Sequence, residues 1–97
     1  MSRKIVFFHA AWCGPCKALD KGWLMPIEQE CRDPAACIER IDAWQNPGTA
    51  DQYGISLKHI PLAAAVQDGK LVTVFSGVYP STESVIDWLE GRADDFS

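Results

Sequence analysis

The run Lys4-Ile5-Val6-Phe7-Phe8-His9-Ala10 constrains the fold of this chain more than any other segment. It is rich in β-branched and aromatic residues and nearly all apolar, with no alternation to mark a wet face. A strand of that kind is buried on both faces, so it belongs in a sheet covered from two sides. A helix is expected next, from about Pro15 to Glu30, because Leu19, Trp23 and Ile27 recur four apart and form a buried stripe. Pro15 suits a first helical turn, where its missing N–H has no partner to lose. Gly22 and Pro26 weaken the same stretch and predict a kink or an early end near Pro26.

Further along, Cys37 to Ala43 reads as a second strand, and Asn46-Pro47-Gly48 is turn chemistry. Thr49 to Tyr53 is expected to form a short helix stopped by Gly54. Two apolar runs, Pro61 to Val66 and Leu71 to Phe75, flank Gln67-Asp68-Gly69-Lys70, and an Asp-Gly turn so placed predicts a β-hairpin that ends at Gly77. Ser81 is a good N-cap for a last helix with Glu83 in its first turn and an apolar face of Val85, Ile86 and Leu89. The acidic tail from Gly91 to Ser97 is expected to fray. The order β-α-β-α-β-β-α implies an α/β fold whose parallel start takes a right-handed crossover and whose hairpin adds antiparallel strands. The expected architecture is a mixed sheet of about four strands flanked by helices.

Ninety-seven residues suit one domain, and an apolar share of 47% with 23% charged residues is ordinary for a globular one. No apolar run approaches the roughly 20 residues of a membrane helix, so no membrane association is expected. The net charge of −4 argues against a general nucleic-acid binder. Basic Met1-Ser2-Arg3-Lys4 leads into Ile5-Val6-Phe7-Phe8, but that run is too short for the core of a signal peptide. The expected compartment is therefore the cytoplasm.

Four cysteines in so short a chain might form a secreted disulfide framework, yet Cys13 and Cys16 sit three apart around Gly14-Pro15 at a helix opening. In a reducing compartment such a pair is more often catalytic or metal-binding than structural. At i and i+3 the two thiols share one side of the helix and can close a small, reversible disulfide. Cys13, just ahead of the helix, meets unpaired N–H groups and the positive end of the helix dipole, which favour thiolate and make it the nucleophile. Cys16, one turn in, is expected to be more buried and to resolve a mixed disulfide from inside. Gly14 lets a partner backbone come close, and Pro15 stiffens the turn. A zinc knuckle of Cys13, Cys16, Cys31 and Cys37 is the competing reading; the spacing Cys31-x5-Cys37 is not the usual second half of one, and no metal or cofactor is expected. For Cys31 and Cys37 the favoured reading is two free, buried, inert thiols, with a second disulfide or a regulatory thiol as alternatives.

Trp12-Cys13-Gly14-Pro15-Cys16-Lys17 resembles the active-site motif of the thioredoxin family. Further matches follow in order: Gln45-Asn46-Pro47-Gly48-Thr49-Ala50, Tyr53-Gly54-Ile55, Ile60-Pro61, and Gly77 after the hairpin. The resemblance runs from about Lys4 to Glu90. It implies a thioredoxin-like fold and a protein-disulfide reductase, acting in cell redox homeostasis as a monomer on disulfide-containing proteins. It also implies a thioredoxin reductase as electron donor, and a cis Pro61 facing the cysteines, with Trp12, Ile60, Pro61, Gly77 and Val78 lining a docking groove. Read from the residues alone, Pro61 merely opens a strand.

The chain also departs from that family. Only three residues precede the first strand, so the strand and helix that open a full-length thioredoxin are not found here. The family's buried aspartate, six positions before the first cysteine, is Phe7, and its lysine companion falls near Arg40. His9 stands where an aromatic residue is common, and either carries the proton or merely packs in the strand. The loop Ser56-Leu57-Lys58-His59 is two residues longer than usual, which is expected to alter partner choice. Trp23, Trp44 and Trp88 are expected to be core or half-buried anchors, and His59 either reaches the groove or stays solvated. Two other functions compete: a glutaredoxin-like reductase fed by glutathione, and a thioredoxin-fold binding subunit of a larger assembly. Gly14-Pro15 is not the usual glutaredoxin pair, and a binding subunit does not need the cysteines.

Overall fold

The structure is a computed structural model that describes residues 2–96. Its sheet has four strands in the order β2-β1-β3-β4, formed by Arg3–His9 (β1), Ile38–Asp42 (β2), Leu62–Gln67 (β3) and Lys70–Phe75 (β4). The apolar β1 lies inside the sheet, parallel to β2 with Ile5 opposite Ile38, and antiparallel to β3 with Phe7 opposite Ala63. Both of its faces are covered. Ile5 and Phe7 share one core with Cys13, Cys16, Leu24, Ile27 and Trp88, while Val6 and Phe8 share the other with Ile41, Ala50, Ile55 and Leu62. Small residues at Ala63, Ala64 and Ala65 make room beside the two phenylalanines, so β1 supplies the bulk and β3 the space.

The first helical run is α1 (Gly14–Leu19), a π-helical segment (Asp20–Leu24) and α2 (Met25–Glu30). The helix neither stops nor breaks at Pro26. Instead the turn before it widens, with the Met25 N–H donating to the Asp20 carbonyl five residues back, and Pro26 falls at the start of α2, where its missing N–H is tolerated. A short helix, α3 (Pro34–Cys37), then precedes β2, so the stretch read as a strand from Cys37 begins one residue later. α4 (Thr49–Gln52) covers the second face and α5 (Thr82–Leu89) the first. Asp68 and Gly69 both adopt positive φ, 53° and 80°, as a two-residue hairpin turn requires. The Ser81 hydroxyl accepts from the Ser84 N–H at 3.1 Å and caps α5.

The acidic tail is expected to fray, and among its described residues Phe96 packs edge-on against Phe75 and tilted against Trp88. The Arg3 guanidinium also donates to the carbonyls of Trp88 and Ala93 at 2.8 and 2.9 Å. One aromatic ring and one cation are enough to dock a segment whose composition is polar. Ser97 lies outside the described residues. Among the tryptophans, Trp23 and Trp88 are core residues, but Trp44 is 76% exposed and anchors nothing in the core.

Candidate functional site

β1 delivers the chain through Ala10 to Trp12 and Cys13, and the helical run starts there. Cys13 is the N-cap of α1 with extended backbone, and its Sγ accepts the Cys16 N–H at 3.1 Å. Its own N–H donates to the Ala10 carbonyl at 3.1 Å, which ties the turn to the end of the strand. Cys13 and Cys16 are joined as a disulfide with Cα atoms 5.3 Å apart. Cys13 is 4% exposed and Cys16 1%, so access to sulfur is narrow and comes from the Cys13 side. A sulfur held by amide N–H at a helix start is favoured as thiolate once reduced, because those donors and the helix dipole stabilise negative charge.

The Ile60–Pro61 peptide bond is cis, and Pro61 lines a groove together with Pro15 of the cysteine turn. Ile60 and Pro61 form a ridge between two grooves. On one side Pro61 meets Pro15, Leu19, Gly77 and Tyr79; on the other Ile60 meets Trp12, Trp44, Leu57 and Lys58. His59 lines both, and its Nε2 hydrogen-bonds the Ser76 hydroxyl at 2.7 Å, fastening the loop to the end of β4. Trp12 is 69% exposed. Gly77 takes positive φ at 80°. Val78 is exposed but lines neither groove, and Gly14 is open to solvent with nothing near the position a Cβ would take. Sequence reasoning missed Trp44, Leu57 and Tyr79 at this site. Only the length of the loop before Pro61 hinted at Leu57.

Phe7 lies in the same core as both cysteines and is fully buried. His9 stacks on it with ring centroids 5.7 Å apart and remains partly exposed. Among the described residues no buried polar or charged side chain accompanies Cys16. Arg40 is held elsewhere: its guanidinium bonds both Asp20 oxygens at 2.9 Å and the Glu28 carboxylate at 2.8 and 3.3 Å. Those carboxylates, Asp20 first and then Glu28, hold the guanidinium proton even more firmly than usual.

Cys31 and Cys37 are not free thiols; they form a second disulfide with Cα atoms 6.6 Å apart. This corrects the favoured expectation. The short α3 turns the chain back so that Cys37 meets Cys31 at the end of α2, a return that spacing alone could not reveal. The two pairs stand at opposite ends of the helical run Gly14 to Glu30, separated by about 1.5 Å per residue. The four-cysteine zinc knuckle is therefore not assembled, and among the described residues no three His, Cys, Asp or Glu side chains converge on a metal-sized site. No helix among them is long and apolar enough to cross a membrane.

Comparison with known proteins gives the same picture. The family model for thioredoxin matches residues 2–90. Thioredoxin 2 of Chlorobaculum tepidum is 37% identical over 79 residues, which cover 78% of this chain and 66% of that protein. The probable thioredoxin-2 of Caenorhabditis elegans is 35% identical over 86 residues, covering 89% of this chain and 56% of its own length. The chain thus spans a little under two thirds of the first relative and just over half of the second. The solved thioredoxin of Fasciola hepatica superposes with a TM-score of 0.62 at 29% identity, covering 77% of this chain and 67% of that one. With the match running from Ser2 to Glu90, through the cysteine turn, the cis-proline ridge and the hairpin, the chain belongs to the thioredoxin family.

Proposed function

We propose that this chain is a thiol–disulfide oxidoreductase that reduces protein disulfides, with Cys13 as nucleophile and Cys16 as resolving thiol. The observation that carries this reading is the Cys13–Cys16 disulfide at a helix start beside a cis Ile60–Pro61 bond. The Cys13 thiolate attacks one sulfur of the target, forms a mixed disulfide and releases the other target sulfur as thiolate. Cys16 then loses its proton and attacks the Cys13 Sγ. That closes the Cys13–Cys16 bond and releases the second target thiolate. The target has gained two electrons and two protons, and the protein has lost them. A thioredoxin reductase returns them as the proposed electron donor, in the cytoplasm, where Gly14-Pro15 between the cysteines suits a general reductant.

The substrate segment lies extended across the turn. Trp12, Gly14, Pro15, Ile60, Pro61 and Gly77 form its docking surface, and Val78, which lines neither groove, is left outside it. The open space over Gly14 admits a neighbouring backbone, and the edge beside cis Pro61 offers it hydrogen-bonding groups. Turnover of a disulfide protein decides the matter, supplied with NADPH and thioredoxin reductase in one arm and with glutathione and its reductase in the other. Fast turnover in the first arm is the expected result. Turnover only in the second arm identifies a glutathione-fed enzyme, and none in either removes the reductase reading.

A further inference from the structure

The groove on the Trp12 side of the Ile60–Pro61 ridge has a composition that reduction of a disulfide does not explain. Its walls are Trp12, Trp44, Leu57 and Ile60, and its polar lining is confined to Lys58 and His59, with no carboxylate. Both tryptophans are mostly exposed, although the other two in the chain are core residues. An indole left in water keeps a large apolar face available for a partner. The groove encloses about 510 Å³, within the range of pockets that take small ligands or side chains.

The walls are held in place without a ligand. The Asp42 carboxylate accepts the N–H groups of Trp44 and Gln45 at 3.0 and 3.1 Å. The Ala43 N–H donates to the His9 carbonyl at 2.8 Å, continuing the pairing of β1 with β2. The opposite wall is anchored by Leu57 against the second core and by the His59–Ser76 hydrogen bond. The backbone of both walls is thus fixed, and filling the groove costs chiefly the ordering of the two indoles. Lys58 is exposed and makes no ion pair or hydrogen bond among the described residues, in a chain of net charge −4. Its charge is available to an incoming carboxylate.

We infer that this groove is a specificity subsite for disulfide-bearing protein segments that place an aromatic side chain, with an acidic residue next to it, near the reacting cysteine. The inference rests on the proposed reductase function and says which targets that function prefers. Trp12 precedes Cys13 and Ile60 precedes Pro61, so the groove opens directly off the redox turn. An extended segment advances about 3.3 Å per residue, so the aromatic residue lies within about three positions of the target cysteine. It slots between the two indoles, and its acidic neighbour meets Lys58.

The test uses three peptide disulfides that differ only in carrying Trp-Asp, Trp-Lys or Ser-Ser beside the cysteine. The readout is the ratio of kcat/KM for Trp-Asp to that for Ser-Ser, and for Lys58→Glu that of Trp-Lys to Trp-Asp, which cancels any general change in activity. Wild type is expected to favour the Trp-Asp peptide at least tenfold. Trp44→Ala is expected to reduce that ratio below threefold, and Lys58→Glu to favour Trp-Lys over Trp-Asp. Equal rates for wild type, or a ratio unchanged in Trp44→Ala, overturn the inference. Sedimentation showing a wild-type dimer that Trp44→Ala dissociates would assign the groove to a second copy and also overturn it. If none of the peptides is reduced, the reductase reading has failed. Calorimetric binding of a cysteine-free Trp-Asp peptide then judges the groove alone, which is lost if Trp44→Ala binds as tightly as wild type.

Discussion

The two cysteine pairs bracket one helical run, and they differ less than their proposed roles suggest. Cys13–Cys16 closes a loop three residues apart in sequence and Cys31–Cys37 one six apart. Loop-closure entropy assigns each about 2 kcal/mol, so entropy does not separate them. Exposure does not either, because Cys31 is more open than Cys13. What separates them is the end of the helix on which each pair sits. Cys13 Sγ receives an N–H at the start of α1, whereas Cys31 caps the end of α2 with its Sγ 3.2 Å from the Ile27 carbonyl oxygen. Amide hydrogens and the positive end of the dipole favour a thiolate, and carbonyl oxygens at the negative end oppose one. The surroundings reinforce the contrast. A cis-proline ridge and two grooves flank the first pair, while the second lines a cleft with Arg3, Arg32 and Glu90, the last two ion-paired at 3.5 Å. On the proposed function the first pair does the chemistry, and the second ties the end of α2 to the residue that precedes β2.

The largest expected effect breaks the comparison outright. Cys13→Ser should lower disulfide turnover by at least about a thousandfold, as loss of a nucleophile does. The double variant Cys31→Ser with Cys37→Ser should stay within about twofold of wild type, since that pair lies at the far end of the helical run from Cys13 and Cys16. A turnover assay in which the second pair proves essential would reverse the two roles. Next, Cys16→Ser should trap covalent, reducible adducts through Cys13, read as a mass increase that dithiothreitol removes. Adducts accumulating in Cys13→Ser instead would exchange nucleophile and resolver.

The second pair has its own expected signature. Removing Cys31–Cys37 should cost about 2 kcal/mol of stability and lower the Tm by roughly 10 °C. Denaturant titration and calorimetry measure both. An unchanged midpoint would leave this disulfide without a structural role.

A smaller effect concerns Phe7. In the proposed mechanism Cys16 attacks the mixed disulfide as thiolate, and its surroundings are apolar, with no buried acid among the described residues to take the proton. Stopped-flow decay of the mixed disulfide should therefore accelerate as pH rises from about 6 to 9, by up to about tenfold per unit while the thiol stays protonated. Phe7→Asp should flatten that rise at some cost in stability, because Arg40 is already occupied by Asp20 and Glu28. A pH-independent decay, identical in the variant, would mean that proton removal is not limiting or that His9 already performs it.

The smallest effect lies between the two pairs. Arg40→Ala releases Asp20 and Glu28 and should cost up to about 1 kcal/mol, shrinking as salt rises. Urea midpoints at low and high ionic strength would show it. A loss independent of salt would mean that Arg40 contributes through packing of its stem instead.

Features written in neighbouring residues could be read from the sequence because their physics is local. A nearly unbroken apolar run forces β1 inside the sheet. Positive φ at Asp68-Gly69 makes the hairpin, a hydroxyl at Ser81 caps α5, and two thiols one turn apart at a helix opening make the redox turn. The chain's departure from expectation came wherever the outcome depends on a distance across the fold. Six residues separate Cys31 from Cys37 in any conformation, but only the turn of α3 brings the sulfurs together. Trp44 is as apolar as Trp88, yet one sits in the turn after β2 at the rim of the sheet and the other lies under the docked tail. Residue type specifies what a side chain gains by burial, and the tertiary structure decides whether anything is there to bury it.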